Sequence, residues 1–185
     1  SFVTPHYPLR APAEFLDLYD PARIPPPVGH GPAMRPTHPE LAHIAGFYDY
    51  DRHFDAGRLA EARAAYFALV SFMDRCVGRV LAALEASGQA EETLVLYISD
   101  HGEMLGDHGF WTKSVMYEAS AGVPMILAGP GVEPGRRVRT PVTLLDVAAT
   151  AAEMAGADAF GQTLPGASLR GIAGAPDDPG RTAFS

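Results

Sequence analysis

The run Thr93 to Ser99, TLVLYIS, ending abruptly at Asp100-His101-Gly102, constrains this chain more than any other feature. Continuous β-branched and aromatic residues without polar alternation describe a strand covered on both faces. Upstream, the stretch from about Ala60 to Ser87 sets Phe67, Val70, Met73, Val77, Val80, Leu81 and Leu84 at helical spacing, and Gly88 supplies a stop. Downstream, Val123 to Ala128 is a second apolar run closed by Gly129-Pro130-Gly131. Thr143 to Ala155 then reads as a helix with Asp146 in its first turn. Helix, strand, loop, strand, helix predicts an α/β fold with a mixed, mostly parallel sheet flanked by helices.

The flanks set the expected boundaries. SFVTPHYPLR begins like the end of a short strand and runs into Pro5 and Pro8, which stop a ladder and leave His6 at the strand's end. With no initiator methionine, the chain is expected to start inside a larger protein. Residues 29–57 lie in and beyond a proline- and glycine-rich stretch and are expected to form an irregular loop insertion. Residues 1–172 are expected to be one portion of a larger domain, and 173–185, rich in proline, glycine and aspartate, a linker or loop beyond it.

Length and charge narrow the partners. The 185 residues, 47% of them hydrophobic, are enough for a sizeable core. A formal charge of -8 without a basic block argues against nucleic acid or an anionic membrane surface and leaves small molecules or proteins. An anionic small molecule remains compatible, because local potential from a metal and one or two cations decides its capture. The single cysteine, Cys76, cannot form an internal disulfide, and no apolar run approaches the roughly 18 residues of a membrane span.

The chemistry concentrates in Ser99-Asp100-His101-Gly102-Glu103, followed by Gly106-Asp107-His108-Gly109 and Trp111-Thr112-Lys113. In open α/β sheets ligands gather at the carboxyl ends of strands. A carboxylate and an imidazole on adjacent residues there can turn toward one cation, because the chain has left the strand and need not alternate faces. An Asp-His pair after a strand also serves as a cap or turn device, so the pair alone leaves both readings open.

The longer segment SDHGEMLGDHGFWTKSVMYEASAGVPMILAGPG resembles the C-terminal half of the sulfatase catalytic domain, within the alkaline phosphatase superfamily, and especially choline-sulfatase-like and arylsulfatase-like bacterial members. SFVTPHYPLRAPAEFLDLYDP is similar to the family's strand and loop bearing an active-site histidine, and FALVSFMDRCVGRVLAALEASG to the helix before the metal strand. The resemblance implies an incomplete, alkaline-phosphatase-like α/β fold. It implies that Asp100 and His101 are ligands of a divalent cation, calcium in the first instance and manganese as the alternative. Lys113 matches the lysine that contacts the sulfate, and His6 the histidine near the bridging oxygen; both are expected to be catalytic and substrate-binding.

The resemblance further implies a formylglycine nucleophile made from a cysteine in a Cys-x-Pro-x-Arg motif. No such motif is present, and Cys76 sits in Asp74-Arg75-Cys76-Val77-Gly78, inside a helix. The nucleophile and further aspartate ligands are therefore expected upstream. The implied function is metal-dependent hydrolysis of a small-molecule sulfate ester. A phosphonate or phosphate ester hydrolase shares the same site design, because both stabilise charge on an oxyanion with a metal and cations. A non-catalytic fragment is the third reading. His108 is read as either a partner of a ligand or a residue that orders its loop, Glu103 as either an orienting carboxylate or a turn residue. The group Arg136, Arg137 and Arg139 is read as solvent-facing loop charge.

Overall fold

The computed structural model describes residues 1–157 and 165–183. They divide into two compact units, one formed by residues 1–87 and 101–122, the other by residues 88–100 and 123–185.

The first unit is organised by one long helix. Helices α1 (Ala13–Leu16) and α2 (Pro39–Tyr48) precede α3 (Ala56–Ala86), and α4 (Glu118–Ala121) closes the unit. Helix α3 starts at Asp55, whose carboxylate accepts the amide of Arg58 at 2.9 Å, one of the donors a helix start leaves unpaired. Its alanine-rich first half buries Leu59, Arg63, Ala64, Ala68 and Leu69, a helical stripe with one charged member. Against that stripe, Leu59, Leu105 and Trp111 form a core with Leu9, Tyr50, Phe54, Ala62 and Tyr66 around it. Phe54 and Trp111 stack at 4.1 Å and 13°. Met104, Phe110 and Val115 form a second cluster against Leu41, Ile44 and Ala45 of α2. Phe110 is 1% exposed, which places about 1.5–3 kcal/mol of transfer free energy on that one side chain. The loop 103–115 therefore contributes core residues of its own, which is why it holds a fixed shape.

Two expectations change here. Residues 29–57 are not an irregular insertion, because 39–48 are helical: Pro39 occupies a first-turn position, where its missing amide donor is no loss, and Leu41, Ile44 and Ala45 at helical spacing bury against the second cluster. Residues 1–5 form no strand, since Pro5 and Pro8 withhold ladder donors and His6 instead donates its amide to Val3 in a turn.

The second unit holds β1 (Val95–Ile98), β2 (Met125–Ala128), α5 (Leu144–Met154) and α6 (Leu169–Gly174). The strands pair antiparallel, with Val95 opposite Ala128 and Ile98 opposite Met125. Among the described residues this antiparallel pair is the whole sheet, and none of the parallel pairing expected of a mixed, mostly parallel sheet is seen there. Nor is β1 covered on both faces: Val95, Leu96 and Tyr97 are half-buried and Ile98 is 38% exposed. Composition selected the strand, whereas coverage depends on what packs over it. At the end of β2, Gly129 has φ +130°, and a Cβ there would stand 2.5 Å from the Thr93 carbonyl oxygen, so only glycine permits this close pairing.

Helix α5 begins with a capping box between Thr143 and Asp146. Asp146 is fully buried and accepts the amides of Thr143 at 2.9 Å and Ala167 at 2.8 Å. Arg181 reaches it bidentately, at 2.7 and 3.0 Å. Thr140 Oγ1 also accepts the amide of Asp178 at 2.8 Å. The tail is thus irregular yet anchored, rather than a free linker, and residues 173 and 174 belong to α6. Residues 158–164 of the expected catalytic-domain portion lie outside the described residues.

Candidate functional site

The first unit brings His6, His101 and Lys113 together. His6 follows a turn in which Tyr7 presents its carbonyl to His6 Nδ1 at 3.0 Å. A carbonyl only accepts, so Nδ1 carries a proton; Nε2, facing the ammonium of Lys113, presents its lone pair to it. That Nε2 lies 2.9 Å from Lys113 Nζ, which donates to it. The imidazole also stacks on Tyr7 at 4.4 Å and 27°, and its centroid lies 5.8 Å from that of His101 in an edge-on arrangement.

His101 follows the same logic. Its Nδ1 stands 2.8 Å from the Gly102 carbonyl oxygen, so Nδ1 donates and any metal ligation falls to Nε2. Gly102 is required by a close approach rather than by a turn. Its amide donates to the Ser120 carbonyl at 2.7 Å and that of Glu103 to Ala119 at 2.8 Å, while a Cβ at 102 would lie 2.1 Å from the Ala119 oxygen. Asp100, exposed, belongs to the second unit as the residue that closes its strand segment. Among the described residues no group of three or more histidine, cysteine, aspartate and glutamate side chains gathers as a metal cage. A carboxylate and an imidazole are a donor set that suits a divalent cation as part of a larger coordination sphere.

Lys113 is exposed at its tip and fixed at its base. Ser120 Oγ donates to its carbonyl at 2.7 Å. Thr112, in the left-handed region at φ +66°, donates its amide to Glu103 Oε1 at 2.5 Å and offers its carbonyl to Met104 N at 2.9 Å. The same Glu103 oxygen accepts Leu105 N at 3.3 Å. Glu103 thus clamps both ends of the loop. Tyr50 makes a side-chain hydrogen bond to Thr112; burial pushes its phenol up, and nearby Tyr48, Tyr7 and Glu103 add to the rise against that hydrogen bond.

His108 orders the loop. It sits at φ +54°, stacks on Tyr117 at 4.3 Å and 16°, and crowds Gly29 so closely that a Cβ there would lie 2.6 Å from its Nδ1. The arginine group of the second unit is exposed, as expected of loop charge; Arg136 also donates to the Ala175 carbonyl and lies 3.7 Å from Asp177, which accepts the backbone amide of Arg139 at 3.1 Å. Sequence reasoning passed over Arg63, Ser120 and Tyr50. Arg63 carried a legible signal, a charge standing on the apolar stripe of α3; Ser120 and Tyr50 carried none, because their roles arise from contacts across the loop.

The sequence model of the sulfatase family matches residues 1–157. A choline-sulfatase of Rhizobium meliloti is 40% identical over 159 residues, covering 84% of this chain and 30% of the relative. An arylsulfatase of Clostridium perfringens is 33% identical over 135 residues, covering 71% of this chain and 27% of the relative. Among solved structures, a phosphonate monoester hydrolase from Silicibacter pomeroyi superposes with a TM-score of 0.74 at 32% identity, over 94% of this chain and 37% of the other. A phosphonate monoester hydrolase of Agrobacterium radiobacter gives 0.79 at 24% identity over 97% of this chain, a likeness of fold. The α/β, alkaline-phosphatase-like class expected from the sequence holds, and the chain spans about a third of the length of the relatives it matches.

Proposed function

Because this chain belongs to the sulfatase family, we propose that the whole protein hydrolyses a small-molecule sulfuric ester, with His6 and Lys113 acting on the ester and Asp100 and His101 contributing ligands to a divalent cation. The observation that carries this reading is the 2.9 Å contact between Lys113 Nζ and His6 Nε2 across 107 sequence positions, with His101 beside them. Among the described residues no helix is long and apolar enough to cross a membrane.

The chemistry follows from the groups present. An ammonium has three donors; one meets His6, and the others suit the oxygens of a tetrahedral anion whose charge grows during transfer. The proton for the departing alcohol oxygen is held in the Lys113–His6 pair, and the imidazole is kept in register by the Tyr7 carbonyl and ring. A divalent cation, calcium or alternatively manganese, would supply further positive charge opposite the ester oxygens. The covalent nucleophile, a formylglycine, is assigned to the protein upstream of this chain. Cys76 is half-buried within α3 and lacks the motif.

A second reading, phosphonate monoester hydrolysis, is favoured by the Silicibacter pomeroyi structure. Turnover of 4-nitrophenyl sulfate against 4-nitrophenyl phenylphosphonate by the whole protein separates the two. Faster sulfate release supports the first reading, faster phosphonate release the second, and neither product refutes both.

A further inference from the structure

The geometry points to Arg63 as a positioning residue for Lys113, acting from α3 through the backbone of the loop 103–113; the catalytic part of this inference rests on the reading above. Arg63 is 9% exposed, a charge at a core position of the helix stripe. A buried guanidinium is retained only where its donors are used. Here Nε donates to the Pro25 carbonyl at 3.1 Å, and Nη1 to the Leu105 carbonyl at 2.7 Å and Asp107 Oδ1 at 3.4 Å. Asp107 in turn accepts Val28 N at 3.0 Å. One side chain therefore ties together the helix, the segment 25–28 and the loop that carries Lys113.

The path onward is short. Leu105 stands in the left-handed region at φ +48°, where its carbonyl is offered to Arg63 while its amide is offered to Glu103. The same Glu103 oxygen holds the amide of Thr112, the residue before Lys113. Leu105 and Trp111 pack against Leu59, one turn before Arg63, so the loop's apolar and polar anchors fall on one stretch of α3. Without Arg63 the Leu105 carbonyl loses its buried donor and Asp107 its cation, and the Glu103 clamp loses the geometry that fixes where Lys113 begins. Arg63 meets neither His6 nor Lys113 in any contact described; it acts through Leu105, Glu103 and Thr112.

The test uses the whole protein and two independent readouts. By hydrogen exchange and mass spectrometry, Arg63→Met should raise exchange of peptides spanning 103–113 while leaving those of α3 beyond residue 70 unchanged. In turnover of 4-nitrophenyl sulfate, Arg63→Met should lower kcat by about 10²-fold, the scale of a misplaced catalytic group, with KM moving less. Added to Lys113→Ala it should cost at most about 3-fold more, because a residue that acts by placing Lys113 has nothing left to place. If Arg63→Met does not fold, Arg63→Lys serves: its single ammonium replaces one contact of the fork and should show the same loop exchange and the same non-additivity at smaller size. Unchanged loop exchange, or a full multiplicative loss in the Lys113→Ala background, overturns the inference. Loosened loop exchange in a protein that cleaves no ester would retain Arg63 as the loop's anchor and refute the hydrolase reading instead.

Discussion

Lys113 Nζ donates to His6 Nε2 at 2.9 Å, and the Tyr7 carbonyl fixes which nitrogen of His6 receives it. The two residues come from opposite ends of the first unit's sequence, yet both are held by short-range backbone contacts. The pair is therefore held together by the fold itself, as the proposed role in stabilising a growing charge would require.

Replacing Lys113 by alanine in the whole protein should reduce kcat for 4-nitrophenyl sulfate by about 10² to 10³, the range for losing one contact to a developing oxyanion. Lys113→Arg should recover part of that loss, since it keeps the charge but changes the donor geometry. Full activity in Lys113→Ala would remove Lys113 from the site.

Gly102→Ala tests the close approach of 102–103 to 119–120. Its new methyl would stand 2.1 Å from a backbone oxygen that cannot rotate away, so the two segments must part and the 2.7 Å bond from Gly102 N to Ser120 must lengthen. Overpacking of this kind costs about 1–3 kcal/mol, and a backbone partner puts it at the upper end. Thermal melting reads the loss directly. Because Ser120 Oγ also holds the Lys113 carbonyl, turnover should fall beyond what unfolding accounts for.

The Asp146–Arg181 pair predicts an acid limb in stability. Burial pushes the Asp146 carboxyl up, but the Arg181 fork and the amides of Ala167 and Thr143 outweigh it, so the group is held below its ordinary value of 3.8. A depressed folded pKa contributes stability that is present above the unfolded value and lost as pH falls through the folded one. Melting temperature should therefore drop as pH falls below about 4, and Asp146→Asn should flatten that limb while lowering stability by about 3 kcal/mol at neutral pH. An unaltered pH profile in Asp146→Asn would show that this carboxylate is not linked to folding.

Local patterns were legible where one segment settles its own shape. The long helix, both strands and α5 with Asp146 in its first turn follow from apolar period and end signals in TLVLYIS and its flanks. The 29–57 region failed because its proline and glycine content masked a helix: Pro39 is a first-turn residue once Leu41 and Ile44 have a cluster to bury against. At the site, the position after a strand marked Asp100 and His101 as candidates and the family resemblance added His6 and Lys113, but nothing in the sequence tells that Glu103 Oε1 joins Leu105 and Thr112, or that Arg63 spans three segments. Those roles depend on left-handed residues such as Leu105 and Thr112, whose conformation no side-chain preference favours.

Metal binding gives the last expectation. Calcium takes about six to eight oxygen ligands, and two protein ligands, one of them a nitrogen, leave most of that sphere to water. Asp100 and His101 are the proposed ligands, and no group of three or more histidine, cysteine, aspartate and glutamate side chains gathers among the described residues. The 185-residue chain by itself should therefore bind calcium far more weakly than the roughly 10⁻⁷ M of complete sensor sites, whereas the whole protein should bind well. In the whole protein, Asp100→Ala should weaken binding more than His101→Ala if the ion is calcium, because a hard cation loses more with a carboxylate than with an imidazole. The order should narrow or invert for manganese, which accepts nitrogen more readily. Titration calorimetry of chain, whole protein and both variants with each ion decides the matter; tight calcium binding by the isolated chain would place additional ligands within it and overturn the two-ligand assignment.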